Sequence, residues 1–182
     1  MAFRSITPNI NVNTESGQLR TELSNTFARL DGDLQYAHYR LDFDIGPVAN
    51  TAGTETTLFS TSVPINTLSK TGSSLLIFTC GKTAANANVK TINVYFGSTV
   101  LFTTGAVAMN NADWTMQIEI VRTGASNQTA WVQFFSNNTL TQSIKVTTAT
   151  ESLAVNQTFR VTGNGAGAAD VSGYYSKVIL LT

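Results

Sequence analysis

The sequence is poor in the residues from which most catalytic and metal sites are built. It holds one cysteine, Cys80, and one histidine, His38, in 182 residues. A single cysteine excludes an intramolecular disulfide and a zinc site built on cysteines, and a single histidine excludes a three-histidine metal site. A Ser-His-Asp triad would depend on His38 alone. We therefore expect no catalytic residue, no cofactor and no metal site, and we predict that the protein is not an enzyme.

Charge and long apolar segments are also scarce. Charged residues make up 12% of the chain, and 11 basic residues balance 11 acidic ones. A nucleic-acid-binding protein needs a basic field to neutralise phosphates, so zero net charge argues against that class. No apolar run reaches the roughly 18 residues that a membrane-spanning helix requires. We expect neither a nucleic-acid partner nor membrane insertion.

Thr, Ser and Asn are abundant, and the charges are unevenly placed. These three residue types account for 59 positions, a composition that favours strands, turns and polar surfaces. Ten of the 22 charged residues fall within residues 1–44, four of them basic and six acidic. The change in composition predicts a boundary at Gly46-Pro47, because glycine permits a bend and proline removes a hydrogen-bond donor. We divide the chain into a leader (1–14), a helix (15–44) and a β-domain (45–182).

The leader is predicted to be extended. Pro8 and several asparagines oppose a helix, although apolar residues recur along the segment. Two interpretations stay open: a loose terminus, which is common for first residues, or a docking strap ordered by a larger partner. In the second case the docking residues are Phe3, Ile6, Pro8, Ile10 and Val12.

The helix is predicted to begin near residues 13–16, where Asn, Thr and Ser can cap free N–H groups. Its apolar residues are spaced by 4, 4, 3, 4, 3 and 4, largely the rhythm of a coiled-coil seam. Such a stripe can pair with copies of itself or lie against its own β-domain. Gly32 costs about 1 kcal/mol of helix propensity, so a break there is also open. The predicted oligomerisation seam is Leu19, Leu23, Phe27, Leu30, Leu34, Ala37 and Leu41.

After Gly46-Pro47 the hydrophobic period changes from about 3.6 to 2. Trp114, Met116, Ile118 and Ile120 alternate with polar residues, as in a strand with one solvated face. Eight or nine short strands separated by turn residues predict an antiparallel β-sandwich or jelly roll without helices. The predicted strands are 57–60, 74–80, 90–96, 99–103, 114–122, 129–135, 139–146, 157–161 and 174–181.

Three blocks of the β-domain are distinctive: residues 83–97 (TAANANVKTINVYFG), 100–114 (VLFTTGAVAMNNADW) and 120–130 (IVRTGASNQTA). They resemble β-domains of tail fibres and other appendage proteins of tailed bacteriophages. The resemblance implies a virion structural protein, commonly a homotrimer, whose N-terminal part is attached to the particle. It implies other phage virion proteins of the capsid, tail or baseplate as partners, with the virion as the location.

Three classes of function remain open. The first is a short fibre or spike whose leader docks to the particle, whose helix trimerises and whose β-domain faces outward. The second is a capsid decoration (cement) protein, and the third is a lectin-like carbohydrate-binding module or a hydrolase with an unrecognised site. If the partner is a host surface glycan, an aromatic side chain with polar neighbours would bind it. The candidate receptor contact is Trp114 with Asn110, Asn111 and Asp113, and a second candidate is Tyr174 with Tyr175. The alternative is that Trp114 and Trp131 are core aromatics.

Overall fold

The described part of the protein is made of antiparallel strands. The structure, a computed structural model, describes residues 39–137 and 141–182. Within these ranges it contains ten strands and no helix. The strands are β1 (Tyr39–Ala49), β2 (Thr56–Val63), β3 (Ser74–Thr83), β4 (Lys90–Phe96), β5 (Thr99–Thr103), β6 (Asp113–Arg122), β7 (Gln128–Ser136), β8 (Thr141–Ala149), β9 (Gln157–Gly165) and β10 (Val171–Leu181).

The strands form two sheets, and all their pairings are antiparallel. The order is β1-β10-β3-β6-β7-β8 in the six-stranded sheet and β2-β9-β4-β5 in the four-stranded sheet. The chain therefore crosses from one sheet to the other after β1, β2, β3, β5, β8 and β9, while β6, β7 and β8 follow as a meander. The prediction of a mainly β, antiparallel domain is confirmed.

One hydrophobic core fills the space between the sheets. Alternate residues of each strand point inward, among them Ile77 and Ile118 from the six-stranded sheet and Val94 and Phe159 from the four-stranded sheet. The Phe102 ring stacks against that of Phe134 across the two layers, with ring centroids 5.7 Å apart. The two sheets thus form a β-sandwich, as their period-2 patterns predicted.

The first strand corrects the predicted boundary. Residues 39–44 were assigned to the helix, but they belong to β1, which pairs with β10 along its length. Leu41 packs against the core of its own sandwich, so its assignment to the oligomerisation seam is wrong. Gly46-Pro47, a cis peptide, lies inside this strand and is not a linker. A Cβ at Gly46 would meet the Gly173 carbonyl, so the glycine permits close approach of the partner strand.

Candidate functional site

The outer face of the six-stranded sheet is unusually apolar at its β1 edge. Phe43 is 40% exposed and Ile45 is 74% exposed, and both lie opposite outward-facing residues of β10. The Phe43 ring contacts that of Tyr175 edge-on, with centroids 5.3 Å apart, and the Arg40 guanidinium carbon lies 5.6 Å from the Phe43 centroid. Half-buried residues of β3 and β10 continue this surface. We call these apolar residues the β1 patch: Phe43, Ile45, Leu76, Phe78, Tyr175 and Ile179. The half-buried Lys177 lies among them, since it pairs with Phe43 on one side and Phe78 on the other.

A bulge explains why β1 turns apolar residues outward. Tyr39-Arg-Leu-Asp-Phe-Asp-Ile45 alternates apolar with polar residues, and a regular strand would keep all its apolar side chains on one face. The register with β10 shifts between Arg40 and Asp42. Leu41 therefore packs on the core, whereas Phe43 and Ile45 lie on the outer face, because a one-residue shift exchanges the two faces.

The same shift places acidic groups of β1 toward the inner side of the sheet edge. Asp42 and Asp44 pair with Val178 and Ser176, whose side chains are buried. Partial burial, followed by repulsion from Asp42, raises the pKa of Asp44 above its ordinary value of 3.8. At this sheet edge the carboxylates of Asp42 and Asp44 lie on the inner side and the apolar Phe43 and Ile45 on the outer side, which is the reverse of the usual arrangement.

A second apolar group lies at the other end of the same outer face. Phe135 is 41% exposed, Ile144 55% and Val146 65%, and Trp131 beside them is half-buried. Polar residues of β6 separate this group from the β1 patch, since Thr115, Gln117 and Glu119 occupy the outward positions. The six-stranded sheet therefore has an apolar surface at each end and a polar stripe between them.

The outer face of the four-stranded sheet is polar. Val100 of β5, which is 43% exposed, is its main exposed apolar residue. The remaining outward positions of β2, β4 and β9 carry hydroxyls, amides and one guanidinium: Ser60, Thr91, Asn93, Tyr95, Thr158, Arg160, Thr162 and Asn164. We call this surface the polar face.

Glu55, directly before β2, organises the polar face. Its Oε1 accepts hydrogen bonds from Asn93 Nδ2 (2.9 Å), from the Tyr95 hydroxyl (2.7 Å) and from the Thr162 hydroxyl. Partial burial alone would raise the pKa of Glu55, but these hydrogen bonds outweigh it and hold the pKa below the ordinary 4.5. Arg160 stacks on the Tyr95 ring with its guanidinium carbon 4.3 Å from the centroid. The face is thus ordered by its own side chains.

A buried ionic network joins the sheet-crossing loops at one end of the sandwich. Lys90 and Asp170 are both fully buried. Lys90 Nζ donates to Asn86 Oδ1 at 2.8 Å and to the carbonyl oxygens of Asn86 and Asn88 at 3.1 and 2.9 Å. Asp170 accepts from Asn86 Nδ2, Asn88 Nδ2 and the Gly167 amide at 2.6, 3.0 and 2.7 Å.

This network sets the charge state of Asp170 and ties the loops together. Burial would raise the pKa of Asp170, but the bonds from Asn86, Gly167 and Asn88 and the positive charge of Lys90 lower it. Asn50 extends the network, because its Oδ1 accepts from the Val171 amide at 2.8 Å. The loops after β1, β3 and β9 are therefore held together by satisfied polar groups, which is a structural role.

The predicted receptor-contact residues are placed differently by the structure. Asn110, Asn111 and Asp113 are exposed, and Asp113 Oδ2 accepts a hydrogen bond from Asn137 at 2.9 Å. Trp114 is only 1% exposed, and its indole packs where a Cβ on Gly81 would otherwise lie. The indole therefore cannot stack on a sugar, and that part of the prediction is wrong. Trp131, considered as core, lies half-buried on the outer face instead.

Several predicted residues lie outside the described ranges. These are the docking residues Phe3, Ile6, Pro8, Ile10 and Val12 and the seam residues Leu19, Leu23, Phe27, Leu30, Leu34 and Ala37. Within residues 39–137 and 141–182, no three His, Cys, Asp or Glu side chains come together as a metal site would require. In the same ranges no helix could cross a membrane.

Sequence reasoning missed the β1 patch and the buried network. The strict alternation of residues 39–45 is a strand signal from which β1 could have been found, but the patch itself depends on the bulge opposite β10. The network could not, because Asn86 and Asp170 are 84 residues apart in sequence.

Comparison with known proteins gives no family. No family model matches the chain, and no curated protein matches it. The CBM2 module of the evolved Dit of Lactobacillus casei BL23 phage J-1 is 10% identical over 76% of this chain and 78% of that one, with a TM-score of 0.35. The infectious bursal disease virus VP2 of a subviral particle is 14% identical over 80% of this chain, with a TM-score of 0.38, and this chain covers 32% of its length. TM-scores this low do not establish a shared fold.

Proposed function

We propose that this chain is a non-enzymatic structural protein of a bacteriophage particle. It acts as a short homotrimeric appendage. The N-terminal leader anchors it to the particle, the helix trimerises, and the β-sandwich faces outward. The proposal rests on the sequence blocks 83–97, 100–114 and 120–130, which resemble phage appendage proteins, and on one structural observation. That observation is the pair of apolar groups at the two ends of the six-stranded sheet's outer face, which remain exposed although the sandwich has a hydrophobic core of its own.

The exposed apolar residues favour an assembly over a free-standing domain. Isolated apolar residues are ordinary on a protein surface, but contiguous patches mark contact sites. With strands about 4.8 Å apart and about 3.3 Å per residue, a six-stranded face eight residues long covers about 700 Å². A standard protein interface buries about 800 Å² per partner. The whole face, with its polar stripe included, is therefore close in size to one partner's share of a standard interface.

The strand order supports a jelly-roll interpretation. β1-β10-β3-β6 and β2-β9-β4-β5 are two four-stranded sets, and the chain passes repeatedly between them, as in a jelly roll. β7 and β8 extend the first set at its β6 side. Jelly rolls occur in viral capsid and lectin domains, so this topology suits a virion protein without selecting one role.

Two alternatives use the same chain differently. A capsid decoration protein would share the apolar face and differ in where it sits on the particle. A carbohydrate-binding module becomes less favoured, because its main aromatic platform, Trp114, is buried.

The oligomeric part of the proposal is tested in the full chain with the variant Leu30→Asp. A charge in the predicted seam should turn the oligomer into monomers, measured as molar mass by light scattering. Asn25→Asp, on the opposite side of the predicted helix, is the control and should keep the wild-type mass. A monomeric wild-type protein, or an unchanged mass for Leu30→Asp, would overturn the trimeric appendage.

Location on the particle is a separate question. An antibody against the β-sandwich should label intact particles at their appendages. Labelling over the whole capsid shell would instead support the decoration protein, and unlabelled particles would contradict a virion role.

A further inference from the structure

We infer that a neighbouring copy of this chain covers the β1 patch in the assembled protein. This inference rests on the proposed function only in taking the protein to be a homo-oligomer. It adds the surface at which the β-sandwiches meet, a contact separate from the predicted helix seam.

First, in β1 the usual arrangement, with apolar side chains inside and charged ones outside, is reversed. The bulge places Phe43 and Ile45 outside while Asp42 and Asp44 point toward the sheet's inner side. A monomer would gain by the opposite arrangement, because burying an exposed Ile or Phe side chain contributes about 1.5–3 kcal/mol. The arrangement becomes favourable when a second surface removes these side chains from water.

The second argument is where the chain enters the sandwich. β1 is an edge strand of the six-stranded sheet and begins at Tyr39, directly after the segment in which the seam residues Leu30, Leu34 and Ala37 are predicted. If the predicted helices of several copies associate, the sandwiches that follow them in sequence are tethered in one oligomer, and this tethering raises the effective concentration of one β1 patch for another copy.

The third argument is the contrast with an equally accessible surface. The polar face carries one exposed apolar residue of comparable type, Val100, among hydroxyls and amides. It has the composition of a surface that stays in water. The polarity difference between the two outer faces of one sandwich favours contact through the six-stranded sheet.

The test is cysteine protection in the full-length protein. Single-cysteine variants Ile45→Cys and Val100→Cys are made in a Cys80→Ser background, and their reaction rates with a maleimide are measured. In a lone chain Ile45→Cys should react faster, since Ile45 is 74% exposed and Val100 is 43% exposed. A covering copy reverses this order, and we expect at least a tenfold slower reaction at Ile45→Cys.

A second arm identifies what covers the patch. If it is a neighbouring copy, protection is lost when the protein is diluted to the monomer or when Leu30→Asp is added. Protection that survives in a monomer would mean that the chain's own N-terminal segment lies on the patch, and this would overturn the inference.

Failure of the inference and failure of the proposed function are distinguishable. An oligomeric protein in which Ile45→Cys reacts as fast as Val100→Cys overturns the covered patch and leaves the appendage intact. A monomeric wild-type protein overturns the homotrimer itself. Circular dichroism of each variant confirms that the strands are retained.

Discussion

The two outer faces of the sandwich differ in chemistry although both are surfaces of antiparallel sheets. On the six-stranded sheet, Phe43 and Ile45 are exposed beside half-buried aromatics of neighbouring strands. On the four-stranded sheet, Glu55 accepts three side-chain hydrogen bonds, and Arg160 stacks on the Tyr95 ring. The first face exposes apolar side chains to water, and the second is covered by polar side chains that contact one another, although Arg160 Nε has no hydrogen-bond partner there. The contrast suggests which side meets a partner and which stays in water.

The largest effect is expected where the loops connecting the two faces are held together. Asp170→Ala removes the acceptor of three hydrogen bonds, from Asn86, Asn88 and the Gly167 amide, and leaving a buried donor unpaired costs about 1–3 kcal/mol each. Urea unfolding followed by circular dichroism would measure the loss. The exposed Asp113→Ala is the control and should change the free energy of unfolding by about 0.5 kcal/mol or less. Equal effects of the two variants would refute the structural role of the network.

A smaller difference in stability is expected between one variant on the inner side and one on the outer side of the six-stranded sheet. Trp114→Ala empties a core position and should cost about 3–5 kcal/mol, because the side chain is 1% exposed. Trp131→Ala removes a half-buried side chain and should cost the monomer no more than about half as much. Thermal unfolding of both variants at one low protein concentration would test this. A larger loss of stability for Trp131→Ala than for Trp114→Ala would contradict this expectation. It would mean that the Trp131 side chain is more buried than it is in a single sandwich.

The smallest expected effect is on the pKa values of two carboxylates, Glu55 and Asp44. These pKa values should be shifted in opposite directions from their ordinary values. The pKa of Glu55 lies below 4.5, so its ionised form contributes stability above that pH, and this is lost as the pH falls through the lowered pKa. The pKa of Asp44 lies above 3.8, so its ionised form is unfavourable in the fold and protonation relieves the cost as the pH falls. Carboxyl NMR titration would give both values.

Two substitutions serve as controls for the titration. Asp42→Asn should lower the pKa of Asp44 toward its ordinary value by removing a neighbouring negative charge. Asn93→Ala should raise the pKa of Glu55 by removing a donor. Finding both carboxylates shifted in the same direction would contradict the difference in their surroundings.

The strands were predictable and the surfaces were not. Strands β2 to β10 each overlap a predicted strand, because a strand with one buried face alternates apolar with polar residues. In β6 the apolar positions are Trp114, Met116, Ile118 and Ile120. β1 was missed because Leu41 fits both the 3-4 spacing of a seam and the alternation of a strand. The 3-4 spacing predicts a helix through residue 44 and a linker at Gly46-Pro47, whereas residues 39–44 and Gly46-Pro47 both lie in β1.

The candidate surfaces depend on tertiary details that a single sequence does not contain. Whether Phe43 faces the core or solvent is decided by one bulge opposite β10, not by its own neighbours in sequence. The helix seam, the leader and the trimer remain predictions.

The most direct measurement is a cryo-EM map of the assembled protein on its particle. The account predicts that Phe43 and Ile45 of each copy are buried against a neighbouring copy, while Tyr95 and Arg160 face solvent. A map in which the four-stranded sheet forms the contact and the β1 patch is open to solvent would contradict it.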